Sequence, residues 1–173
     1  MASIAKGLIE YEGIADFLPE FTEKFAPIKQ FNVAETLELP TDKPDIEQLI
    51  KVKSELVITY TKVIKTPKGK SFEEQELTGW KVVVEGELRQ VIQYVADEPT
   101  QSVHGAHFNV PISTYIVLPP DFEEDKCLTV EGYIEDIYAA AMEDYYMEDG
   151  VVQKRRRKIF KNITILLVAY VGD

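Results

Sequence analysis

Residues 79–118 constrain the fold more than any other part of the chain. They read as two long β-strands joined by one polar turn, Asp97-Glu98-Pro99-Thr100-Gln101-Ser102-Val103. On the second strand Phe108, Val110, Ile112, Ile116 and Leu118 hold even positions, and His107, Asn109 and Ser113 hold odd ones. Successive side chains of a strand point to opposite faces, so one face is built for a core and the other for water. On the first strand, residues 80–96, Val82, Val84 and Leu88 share the inward parity. Gly86 in mid-strand predicts a bulge or a close backbone approach.

The same reading covers most of the chain. Phe31, Val33, Leu37 and Leu39 alternate in one strand, and Leu56, Ile58, Tyr60 and Ile64 are expected to share a face in the next. Pro40-Thr41-Asp42-Lys43-Pro44 breaks the first of these. Pro44 suits the first position of a helix, so residues 45–51 are predicted to form one or two helical turns. Residues 66–70 have turn chemistry, and residues 71–77 read as a polar loop, or as one that ends in strand. Residues 128–147 and 154–171 complete the strands, rich in Tyr and β-branched types. Six or seven strands with one short helix imply a mainly all-β class, an antiparallel β-sandwich or partly closed barrel. Alternation alone does not separate those two.

Residues 31–173 read as one β domain, preceded by an N-terminal arm, residues 1–30. Residues 8–14 suit a short strand, and residues 16–25 are too aromatic for an idle tail. The arm packs either on its own domain or on a neighbour. Tyr11, Phe17, Phe21 and Phe25, with Trp80 of the domain, are the candidate assembly contacts. The more conservative reading of Trp80 is that it closes the end of the core.

Composition narrows the partners. The hydrophobic fraction of 45% is ordinary for a globular chain. The net charge of -11 argues against a nucleic-acid partner. Six of the 19 Lys and Arg residues fall in residues 151–173, mostly in the run Lys154-Arg155-Arg156-Arg157-Lys158. Asp149-Gly150 is a two-residue hairpin signal. A turn centred there sets Tyr145 opposite Lys154, Asp144 opposite Arg155 and Glu143 opposite Arg156. The basic run is therefore read as lying against its own acidic strand, which also fixes the register. Cys127 is the one cysteine, so it is either an inert thiol or the site of an intermolecular bridge. The start of the chain lacks the apolar run of a signal peptide, which points to synthesis in the cytoplasm. The longest apolar run, residues 163–171, is too short to span a bilayer.

No chemistry-bearing constellation emerges. His104 and His107 are the two histidines, and on a strand their opposite parity sends them apart. No cysteine or carboxylate cluster completes a metal site with them. Ser102 and Ser113 lack a nucleophile-elbow context, and the nine glycines form no phosphate-binding loop. No catalytic residue, cofactor or metal is expected, and the chain reads as a non-enzyme.

One family pattern does stand out. It runs through Lys43-Pro44-Asp45-Ile46-Glu47-Gln48-Leu49 and Leu77-Thr78-Gly79-Trp80-Lys81-Val82-Val83-Val84-Glu85-Gly86-Glu87-Leu88. It is clearest in Tyr94-Val95-Ala96-Asp97-Glu98-Pro99-Thr100-Gln101-Ser102-Val103-His104-Gly105-Ala106-His107-Phe108, followed by Val110-Pro111-Ile112-Ser113-Thr114-Tyr115-Ile116-Val117-Leu118-Pro119. Val130-Glu131-Gly132-Tyr133-Ile134-Glu135-Asp136-Ile137-Tyr138 is its last piece. In these segments the chain resembles the SPOCS domain family of spore-forming bacteria, as a single-domain member without a LysM module. The resemblance implies a structural protein of the spore envelope, deposited in the coat or outer layers. Its implied partners are copies of itself or other envelope proteins, through contacts rather than catalysis. The alternative is a small-ligand or carbohydrate-binding β-sandwich, for which Tyr115, Tyr133 and Tyr138 would have to line one concave site.

Overall fold

The computed structural model describes residues 3–20, 27–70 and 76–172. Among them are ten strands: β1 (Ser3–Lys6), β2 (Ile9–Glu12), β3 (Ile28–Glu38), β4 (Ile46–Lys65), β5 (Gly69–Lys70), β6 (Glu76–Leu77), β7 (Trp80–Ala96), β8 (Val103–Val117), β9 (Cys127–Glu148) and β10 (Val151–Gly172). One sheet has the order β1-β2-β4-β7-β8 and the other β3-β10-β9, with β5 and β6 forming a small ribbon. All pairings are antiparallel except β2 with β4. The two sheets stack, with β4 against β9 along one side and β3 near β8 along the other. The result is a β-sandwich whose sides are drawn together.

Alternation builds the core as expected. Val82, Val84 and Leu88 of β7 are buried, as are Val110, Ile112 and Ile116 of β8 and Leu118 just beyond it. Ile134 and Ile137 of β9 and Ile159, Ile163, Ile165 and Leu167 of β10 meet them from the other sheet. A fully buried Leu or Ile contributes about 1.5–3 kcal/mol relative to exposure, so this double layer supplies the main drive to fold. Gly86 is a close approach: a Cβ there would lie 2.7 Å from the Val57 carbonyl oxygen.

The predicted helix over residues 45–51 is not formed; these residues open β4. Ile46, Leu49 and Val52 recur at a helix-like spacing of three, and all are buried. Two register irregularities, between Ile46 and Gln48 and between Leu49 and Lys51, explain the spacing. Each inserts one extra residue, so three positions separate inward side chains where two would do. A third irregularity, between Ile58 and Tyr60, splits another expected face. Leu56 and Ile58 pack on the core, whereas Tyr60 is 50% exposed and Val63 takes the inward side.

The hairpin at Asp149-Gly150 has the predicted register, with Tyr145 opposite Lys154, Asp144 opposite Arg155 and Glu143 opposite Arg156. Both turn residues have positive φ, 50° and 78°, as a tight primed turn requires. The segment of residues 3–16 joins the sandwich directly. Gly13 has φ of 115°, and a Cβ on it would lie 2.0 Å from the Ser54 carbonyl oxygen. Only glycine permits that approach, and it steers the chain from β4 across to β9.

Candidate interaction surfaces

The edge of β9 is covered by the N-terminal segment. The Ala15 N–H donates to the Ile134 carbonyl oxygen at 2.9 Å. Lys6 Nζ donates to the Ile137 oxygen at 3.2 Å and pairs with Asp136. The Tyr11 hydroxyl donates to the Ala139 oxygen at 3.2 Å and accepts from the Ala139 N–H at 3.1 Å. Buried backbone groups left without partners are destabilising, and one phenol serves two of them. We expect Tyr11→Phe to lower the unfolding free energy by about 1–2 kcal/mol, since both Ala139 groups would stay buried and unpaired. Urea denaturation measures the loss, and faster amide exchange at Ala139 would locate it.

Of the five candidate contact residues, Tyr11 lies buried in this chain's own core, its hydroxyl on β9. Phe17 is 84% exposed. Phe21 and Phe25 lie outside the described residues. Trp80 packs edge-on against Phe122, ring centres 5.5 Å apart, with Lys65 over its face. The three tyrosines considered for a ligand site do not converge. Tyr115 lies on β8 beneath Lys29 and Lys81, whereas Tyr133 and Tyr138 lie on β9, beyond β10 from β3. Tyr133 borders an open groove of about 440 Å³ with Phe17 and Ser54, and Tyr138 borders a separate one.

Beyond the sandwich, β9 and β10 continue as a two-stranded ribbon. β3 ends opposite Lys158, so among the described residues β9 alone pairs with residues 151–156 of β10. Arg156 pairs with Glu143 at 3.2 Å and also donates to the Glu47 carbonyl oxygen. Arg155 stacks on the Tyr146 ring and Lys154 lies over the Tyr145 ring. Asp144, directly opposite Arg155 in register, instead accepts from the Tyr145 N–H. Tyr145, Met147, Val151 and Val152 near the tip are each more than half exposed.

Arg157 is the residue that sequence reasoning placed with the wrong neighbours. A register irregularity between Arg156 and Lys158 sets it out of the ladder. Its guanidinium reaches Asp45 Oδ1, the Lys43 oxygen and the Pro40 oxygen, each at 2.8 Å. It thereby ties the β3–β4 connection to β10.

The turn between β7 and β8 is tied to the start of β4, the Gln101 side-chain amide donating to the Glu47 carboxylate and the Asp97 N–H to the Asp45 carbonyl oxygen. His104 stacks on Tyr94 and its Nε2 lies 2.9 Å from Ser102 Oγ. The Ser102 hydroxyl, bonded to Glu98, holds that carboxyl below the usual range, with His104 adding to the effect. His107 is exposed on the outer face. Among the described residues no group of His, Cys, Asp and Glu is arranged to hold a metal ion. Cys127 is free and exposed, and no helix among the described residues is long and apolar enough to cross a membrane.

These features define an antiparallel β-sandwich module with one edge capped by its own N-terminal segment and one hairpin projecting from its end. The family model of the SipL, SPOCS domain matches residues 45–142. That is more than half of the chain, and the chain belongs to the SPOCS domain family. The match holds β4 to β8 and β9 as far as Met142, where the ribbon begins. The family ties the protein to sporulation and is not known for an enzymatic activity. No curated protein and no solved structure matches it.

Proposed function

We propose that this protein is a non-enzymatic structural component of the bacterial spore envelope. It assembles through protein–protein contacts, with copies of itself and with other envelope proteins, in the coat or outer layers. The observation that carries this reading is the projecting ribbon. Tyr145, Met147 and Val152 stand exposed on a two-stranded extension that pairs with no third strand among the described residues. Clustered exposed apolar side chains of this kind mark interaction surfaces. The family's link to sporulation supplies the setting. Size-exclusion chromatography with light scattering tests the reading. We expect species above the 19.7 kDa monomer that grow with concentration, and ordered particles by electron microscopy. A monomer at every concentration would refute self-assembly.

A further inference from the structure

Sheet edges carry unpaired N–H and C=O groups, and proteins that stay apart blunt them with charge, proline, bulges or a covering segment. The edges of this molecule are treated unequally. β1 is four residues long. β8 carries Pro111, and β3 lies near it. β9 is capped by Lys6, Tyr11 and Ala15, and further on carries Glu143, Asp144 and Glu148. β4 differs. β2 pairs with it only at Lys51, Val52 and Lys53. From Glu55 to Lys65 it has β7 on one side and, among the described residues, no strand paired on the other, though β9 packs near it with Gly132 beside Leu56. This stretch contains no proline and is rich in the β-branched residues that strands prefer.

We propose that residues 55–65 of β4 pair antiparallel with the same residues of a second copy, about a twofold near Tyr60. The proposal rests on the self-association reading above and names its contact. The stretch is self-complementary. Glu55 is exposed near one end and Lys62 near the other, with Lys65 beyond it. Neither Glu55 nor Lys65 has an ion-pair partner among the described residues. Antiparallel pairing about Tyr60 sets Glu55 of one copy opposite Lys65 of the other, twice per dimer, and sets Leu56 and Val57 opposite Ile64 and Val63. Parallel pairing would instead set like charges together. The irregularity between Ile58 and Tyr60 sits mid-stretch, so a twofold there brings equal bends together. The contact is isologous, and it joins the β4-β7-β8 ladders of two copies into one continuous sheet. Eleven paired residues give roughly 36 Å of ladder at about 3.3 Å per residue.

Charge exchange tests the contact on the full chain, with folding checked by circular dichroism and self-association by light scattering. Glu55→Lys and Lys65→Glu each place like charges together twice per dimer, and each is expected to weaken association about tenfold. The double variant Glu55→Lys/Lys65→Glu re-creates the complementary pattern and is expected to return to within about threefold of the parent. Unchanged association in both single variants would overturn this contact and leave self-assembly standing. A double variant as weak as the singles would overturn the antiparallel arrangement. A parent protein that stays monomeric would overturn both readings together.

Discussion

Replacing Arg157 by alanine is expected to lower the unfolding free energy by about 2–4 kcal/mol. The side chain is 15% exposed and holds three oxygen acceptors at 2.8 Å, from Pro40, Lys43 and Asp45. Alanine leaves those acceptors without their donor, and the partner left behind sets most of the loss. Asp45 is partly exposed and can recover some hydration, which keeps the figure below that of a fully buried pair. Arg157→Lys keeps the charge but loses the planar fork that spans three acceptors. It is expected to retain about half of the stability that alanine forfeits. The β3–β4 connection crosses from one sheet to the other here, so amide exchange should quicken across residues 40–46. Urea denaturation of the three proteins decides it, and a change within about 0.5 kcal/mol for alanine would refute the anchoring role.

Replacing Lys161 by methionine is expected to act in the opposite direction, raising stability by about 1–4 kcal/mol near neutral pH. Lys161 lies in the centre of the three-stranded sheet, between Glu35 of β3 and Ala139 of β9. It is 0% exposed, and its Nζ has no hydrogen-bond partner among the described residues. Burial holds its pKa below the ordinary lysine range, opposed more weakly by the Glu35 carboxylate. The sign of the pH dependence follows. The folded protein releases this proton at lower pH than the unfolded chain does. The penalty is therefore full below the folded pKa and disappears as pH rises toward the unfolded value, about 10.4. Parent and Lys161→Met should thus converge in stability between neutral pH and about 10. Tyr94, whose pKa burial pushes up, is common to both proteins and leaves the difference unaffected. A methionine variant less stable than the parent, or a gap that widens with pH, would show that the ammonium has an unseen stabilising partner.

The parts of the fold that were legible share one trait: their physics is local. Val82, Val84 and Leu88 could be assigned inward because a strand has period two. The β9–β10 register was readable because two residues, Asp149-Gly150, set the turn and opposite charges agree with it. What was misread was decided by bulges. Ile46, Leu49 and Val52 mimic a helix because two inserted residues stretch a strand pattern to a spacing of three. Tyr60 turned outward and Arg157 left its ladder for the same reason.

Alternation, turn chemistry and composition, read from the sequence by themselves, determined that this protein is all-β, which faces make the core, and where its last hairpin turns. Those properties depend on neighbours one to four residues apart and on the removal of apolar side chains from water. Only the tertiary structure decided the sheet order, the capping of β9 by Lys6, Tyr11 and Ala15, and the stretch of β4 left without a second paired strand among the described residues. These join residues such as Tyr11 and Ala139, 128 positions apart. Each depends on which backbone groups remain unpaired after all other strands have found partners. That is a property of the whole assembled sheet, and no window of sequence contains it.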